Sequence, residues 1–134
     1  MSHKIYQLEN PPVVVFQGNE DYLASELDSA LGQLIDMLEA HAAPVYHIVD
    51  LSLVPPVNVD DTVIGANAAA RGPNPVMHHP MIKKIIYVTR DDFLKAALQG
   101  LDSEVFGHVK VVVFDSLEAA LAFIREDSRE DIAR

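Results

Sequence analysis

The sequence predicts an α/β domain with a mostly parallel sheet of about five strands and about four helices, in the order ββαβαβαβα. Short apolar runs alternate with helical segments, which favours parallel strands joined by right-handed crossovers. An Asn-Pro-Pro turn at 10–12 joins the first two extended segments, so the first strand is expected to be antiparallel at an edge. The 134 residues, 49% of them apolar, fit one globular unit. We expect residues 1–134 to form a single domain.

The first half of the chain predicts three strands and one long helix. Residues 3–9 and 12–18 are extended, and the run Val13-Val14-Val15-Phe16 is typical of a strand covered on both faces. Residues 20–42 predict a helix, because leucine and isoleucine recur there at spacings of three and four. Residues 44–51 predict a second strand of the buried type.

The second half alternates helices with short runs of β-branched residues. Strands are predicted at 81–89 and 109–114. Capping residues or amphipathic spacing mark three helices, at 59–70, 89–101 and 115–124. The Pro-rich stretch 71–80 predicts a loop, and the charged tail 125–134 is expected to fray. The apolar faces of these elements predict six core residues: Leu31, Leu34, Ile48, Ile86, Val112 and Phe123.

Charge and cysteine content exclude several classes of function. Acidic residues outnumber basic ones 20 to 10, which gives a net charge of −10. Nucleic acids and anionic membranes bind proteins through clustered Lys and Arg, so we expect neither as a partner. The chain has no cysteine, which excludes disulfides, thiolate metal sites and a Cys nucleophile. No apolar run approaches the ~18 residues of a membrane span, and the first residues lack a signal-peptide pattern, so we expect a cytoplasmic protein without membrane insertion.

Three segments resemble the STAS, or SpoIIAA-like, family. Asp50-Leu51-Ser52 ends a predicted strand, residues 79–84 lead into another, and residues 113–121 pass from a strand into the last helix. The order and spacing of these segments are similar to those of small stand-alone members from prokaryotes. The resemblance implies a SpoIIAA-like fold and a non-enzymatic regulatory or protein-interaction role. It also implies an alternative, the binding of a small apolar or lipid-like ligand, as in SEC14-like relatives.

The resemblance also directs attention to the start of the helix at 59–70. Antagonist members of the family carry a phosphorylatable serine there, and the matching stretch here is Asp60-Asp61-Thr62-Val63-Ile64-Gly65, so Thr62 is the nearest hydroxyl. This chain lacks the Ser-Gly pair of that motif and carries Pro55-Pro56 before it. Asp60 and Asp61 are best interpreted as helix-capping residues, because Asp is favoured at an N-cap and in the first turn.

A ligand or partner patch is predicted from apolar loop residues. In open α/β sheets, partners and ligands bind beyond the carboxyl ends of the strands. The patch consists of Leu53, Val54, Pro55, Pro56, Val76 and Met77. Such residues can equally seal the core beneath a loop.

Histidines offer a third hypothesis, an uncharacterised enzyme that uses His78 or His79 with Asp60 or Asp61. Adjacent histidines in a Pro loop lack the spacing of a helical or strand metal pair, so we expect no metal and no cofactor. His79 is expected to lead the chain into the next strand. His47, in mid-strand, is expected to be a satisfied sheet histidine. Among the three hypotheses, protein association, including a homodimer, is the one we favour.

Thr62 should not be a phosphoacceptor. Two adjacent carboxylates would each oppose the new charge by about 4 kcal/mol at 4 Å and an effective dielectric of 20, before screening by salt. The helix dipole would return only about 0.3–1 kcal/mol. Intact-mass analysis after co-expression with the host's serine/threonine kinases should show no added phosphate. A stoichiometric gain of about 80 Da mapped to Thr62 would contradict this and favour regulation by phosphorylation.

Overall fold

Five strands form one sheet in which every strand lies beside its neighbours in the chain. The computed structural model describes residues 3–9, 11–20, 27–54, 76–100 and 111–133. The strands are β1 (His3–Leu8), β2 (Val13–Gly18), β3 (Val45–Asp50), β4 (Ile82–Val88) and β5 (Val111–Phe114). β1 pairs antiparallel with β2, and the remaining pairs are parallel. The predicted mostly parallel sheet with an antiparallel edge strand is confirmed.

Three α-helices lie within the described residues: α1 (Leu27–Glu39), α2 (Asp92–Gln99) and α3 (Leu117–Ala133). A short 3-10 helix, Val76–His78, precedes β4. The sequence predicts four helices, and the one expected at 59–70 lies outside the described residues. The order of the other elements is as predicted.

The two faces of the sheet carry separate parts of the core. α3 packs through Ala120 and Ile124 on the face that presents Val15, Ile48 and Ile86. The opposite face is covered by α1 and α2. The leucines of α1 lie in one cluster with Val14 and Val45, and those of α2 lie in another with Ile85 and Tyr87. Neighbouring residues of the central strands thus enter different clusters, as strand geometry requires.

The predicted core residues are largely confirmed. Four of them, Leu31, Leu34, Ile48 and Ile86, are 2% exposed or less. Val112 and Phe123 are only partly buried, although both pack against the core. Val112 lies in β5, which pairs with a strand on one side only. Phe123, in α3, packs beside Phe114 of β5, with ring centroids 5.3 Å apart. The edge position of β5 therefore accounts for the incomplete burial of both.

The last helix, α3, continues to Ala133, into the charged segment 125–134 for which the sequence predicts fraying. Asp127 attaches this part of the helix to the sheet. Its carboxylate accepts a hydrogen bond from the Tyr46 hydroxyl at 2.7 Å and forms an ion pair with Lys84. The charged tail therefore has a tertiary anchor that a local reading of its composition does not reveal.

His47 is the satisfied sheet histidine that its mid-strand position predicts. Its side chain is buried, and Nδ1 donates to the backbone carbonyl of Val14 at 2.9 Å. Burial disfavours the charged ring and lowers the pKa of His47 from 6.5 to about 4, although the hydrogen bond to Val14 acts in the opposite direction.

Protonation of His47 should make the fold less stable in mild acid. Above pH 6.5 the ring is neutral in both states; between pH 6.5 and about 4 only the unfolded chain takes up the proton, so stability falls as the pH falls. The loss should total about 3 kcal/mol and stop below the folded pKa. Urea unfolding from pH 7 to pH 4 measures it. A His47→Asn variant, whose amide can replace Nδ1–H, should show a shallower slope over this window, and an unchanged slope would contradict the assignment.

Leu34 should be a major contributor to stability. It is 1% exposed and lies in the cluster between α1 and the sheet, so Leu34→Ala should lower the free energy of unfolding by about 2–5 kcal/mol. Gln33→Ala, at an exposed neighbouring position, should change it by less than about 0.5 kcal/mol. Equal effects in urea unfolding would show that the face of α1 is assigned wrongly.

Candidate functional site

The carboxyl ends of β3, β4 and β5 form one continuous edge of the sheet. Hydrogen bonding continues past the strands there, because Leu51 N–H donates to Val88 and Thr89 N–H donates to Phe114, both at 2.9 Å. The three loops that leave these strands therefore start from a fixed, shared platform. The carboxyl edge, meaning residues 50–54, 89–95 and 115–116, is the candidate site.

Asp50 holds the start of the loop after β3. It is 5% exposed, and its Oδ1 accepts hydrogen bonds from the Ser52 backbone N–H at 3.0 Å and from the Ser52 hydroxyl at 2.6 Å. Burial and, second, the charge of Asp50 raise the pKa of Tyr6. Because it accepts both hydrogen bonds from Ser52, the Asp50 carboxylate shapes the turn that exposes Leu53, the residue after Ser52.

Thr89 and Asp91 shape the segment that follows β4 through hydrogen bonds to backbone N–H groups. The buried Thr89 hydroxyl oxygen accepts from the Asp91 N–H at 3.1 Å. Asp91 caps α2, because its carboxylate accepts from the N–H groups of Phe93 and Leu94 at 3.0 and 3.3 Å. This local network fixes the first turn of α2 against the sheet.

Two cations join α2 and the segment before it to the turn after β5. Lys95 pairs with Asp115 at 2.6 Å, and Arg90 Nε donates to the Asp115 carbonyl at 3.3 Å. The hydrogen bond from Lys95 lowers the pKa of Asp115. In the same turn, the Ser116 hydroxyl oxygen accepts from the Ala119 N–H at 3.1 Å and so caps α3. Polar groups at the carboxyl edge are thus engaged in shaping the loops.

Apolar side chains, in contrast, face solvent at this edge. Leu53 is 49% exposed and Phe93 is 45% exposed, and these are the exposed large apolar residues of the part of the chain that the structure describes. They follow β3 and β4, which are neighbouring strands. Two solvent-facing apolar groups on an otherwise polar, rigid edge are suited to contact with another molecule.

The structure divides the predicted patch. Leu53 and the half-buried Val54 lie at the carboxyl edge. Val76 and Met77 lie in the 3-10 helix that precedes the opposite, amino end of β4, and Met77 packs against two core clusters. Pro55 and Pro56 lie outside the described residues, as do Asp60, Asp61 and Thr62.

Phe93 is absent from the patch that the sequence predicts. Helical spacing could have indicated that Phe93 is exposed. Leu94 and Leu98, four residues apart, form the buried face of α2, and Phe93 lies beside that face. Phe93 follows β4 and Leu53 follows β3, and only the strand order shows that these two strands are neighbours.

The histidine pair lies before the amino end of β4, away from the carboxyl edge. His79 Nδ1 accepts from the Met81 N–H at 3.1 Å, and its Nε2 donates to the Glu39 carboxylate at 3.4 Å. His79 therefore positions the entry into β4, as the sequence predicts. Within the described ranges, no group of three His, Asp or Glu side chains is placed to hold a metal ion. None of the helices described is long and apolar enough to cross a membrane.

Comparison with known proteins identifies the fold. No family model matches the chain, and no curated protein matches it. An uncharacterised protein of the DUF3478 family from Shewanella loihica PV-4, with a SpoIIAA-like fold, superimposes with a TM-score of 0.59 at 10% identity, over 90% of each chain. An anti-sigma factor antagonist from Mycobacterium paratuberculosis has a TM-score of 0.47 at 20% identity, over 92% of this chain and 95% of its own. The chain has the SpoIIAA-like fold that its sequence resemblance implies.

Proposed function

We propose that this protein is a non-enzymatic regulatory module that acts by protein association through the carboxyl edge of its sheet. The observation that carries the proposal is the exposure of Leu53, in the loop after β3, and of Phe93, in the first turn of α2 after the neighbouring strand β4. The SpoIIAA-like fold and the sequence resemblance to the STAS family support a binding role.

The hydrogen bonds of the carboxyl edge favour contact over catalysis. Asp50 is engaged by Ser52, Thr89 by Asp91, and Asp91 by the first turn of α2. A catalytic acid or base must exchange its proton with a substrate, whereas these groups hold backbone N–H groups or a neighbouring hydroxyl. Rigid loops also lower the entropy that is lost when a partner binds.

A second copy of the chain is the partner we propose first. A two-fold dimer would place the exposed Leu53 and Phe93 of each copy against the same surface of the other. The net charge of −10 on each copy opposes this approach. Salt screens that repulsion over about 8 Å at physiological ionic strength. Self-association should therefore strengthen with added salt, whereas the binding of a basic partner should weaken.

Removal of the two apolar side chains should abolish self-association. At tens of micromolar, the wild-type protein should sediment as a dimer of the 14.7 kDa chain. The Leu53→Ser, Phe93→Ser double variant should sediment as a monomer, because the apolar area that the dimer buries is lost. Ala122→Ser, at an exposed position of α3, is the matched control and should remain dimeric.

Sedimentation also distinguishes failures of this proposal. A wild-type protein that is monomeric at every salt concentration would exclude the second copy as partner. A dimer that survives in the double variant would exclude the carboxyl edge as its interface.

A further inference from the structure

A groove lies at the opposite, amino edge of the sheet, between the β1–β2 turn and α3. Its volume is about 190 Å³, and its lining is mostly apolar. Two of the lining residues are buried, three are half-buried, and the two charged ones are exposed. The lining residues are Leu8, Glu9, Pro11, Val13, Leu121, Ile124 and Arg125. The groove shares no residue with the carboxyl edge.

Arg125 gives this groove a distinctive charge. It is exposed, and no hydrogen bond, ion pair or ring contact joins it to another residue of the described part of the chain. Its acidic neighbours on α3 are engaged elsewhere: Glu126 pairs with Arg129 at 3.5 Å, and Asp127 pairs with Lys84. The guanidinium beside the groove is therefore available to an anion from outside the chain.

The other Lys and Arg residues within the described ranges all have a partner. Lys84, Lys95 and Arg129 form ion pairs. Lys4 and Lys83 lie over tyrosine rings, and Arg90 donates to a carbonyl. An unpartnered cation is conspicuous in a chain with twice as many acidic as basic residues.

We infer that the groove binds a short carboxylate-terminated apolar molecule, with the apolar chain in the groove and the carboxylate at Arg125. A cavity of about 150 Å³ accommodates a benzene ring, so about 190 Å³ has room for an apolar group of about six carbons. Arg suits a carboxylate, because its planar N–H groups match the two oxygens in a bidentate pair.

Glu9 sets the orientation of the ligand. Its carboxylate lines the groove at the β1–β2 turn and accepts a hydrogen bond from the Gln7 amide. A ligand carboxylate at that end would meet a like charge, so the anionic head lies at the α3 end. The same carboxylate and the net charge of −10 both oppose an anionic ligand, so we expect the binding to be weak.

Titration of the full chain with sodium hexanoate, followed by ¹H–¹⁵N NMR, tests the inference. The amide signals of Leu8, Val13, Leu121, Ile124 and Arg125 should shift together and saturate. Arg125→Gln should weaken binding about fivefold, the ratio that corresponds to about 1 kcal/mol from an exposed charge pair. Because Arg125 is exposed, this variant should fold as the wild type does.

Lys4→Gln is the matched control, since it removes one positive charge from an exposed site on β1 that does not line the groove and leaves the Glu126–Arg129 pair intact. It should bind hexanoate as the wild type does. Hexan-1-ol, which has the same chain without the charge, should bind more weakly than hexanoate. Three results would overturn the inference: no saturable shifts at the groove, equal binding of the alcohol, or equal losses in the Arg125 and Lys4 variants. The Leu53→Ser, Phe93→Ser variant should bind hexanoate normally, so this inference and the proposed association surface can fail separately.

Discussion

The parallel pairing of β2, β3 and β4 is the constraint on which the rest of the structure depends. These strands are apolar on both faces, as in Val13–Phe16 and Ile85–Val88, and both faces must therefore be covered. Because each strand lies beside the next one in the chain, right-handed crossovers carry α1 and α2 to the same face. The second face is left to α3, which can reach it only after β5 ends. Asp127, bonded to Tyr46 and Lys84, holds α3 in that position.

The same pairing concentrates the loops that follow three strands at one edge. Asp50, Thr89 and Ser116 each satisfy a nearby backbone N–H group, which fixes the described start of each of these segments. These polar side chains form local hydrogen bonds, whereas Leu53 and Phe93 are exposed to solvent. A stable, mainly polar frame with a small apolar contact is consistent with reversible association, since a larger apolar surface would favour permanent burial.

Pairing of charges along α3 accounts for the different character of the amino edge. Glu126 pairs with Arg129, and Asp127 pairs with Lys84, so neither carboxylate neutralises the charge of Arg125. Arg125 is left beside an apolar groove that the β1–β2 turn closes from the other side. The two edges therefore offer different chemistry: apolar contact at the carboxyl edge, and an apolar site with one cation at the amino edge.

The sequence by itself determined the order of the described elements, their apolar faces and the caps of α2 and α3. Each of these depends on neighbours within about four positions, as in the leucine and isoleucine spacing of α1 or the capping residues that precede α2 and α3. The tertiary structure decided which distant residues meet. It joined Asp127 to Tyr46 across 81 positions, and it placed Met77 at the amino edge while Leu53 lies at the carboxyl edge. It also brought Phe93 to the same edge as Leu53. Such contacts follow from the order and direction of the strands, which local periodicity does not encode.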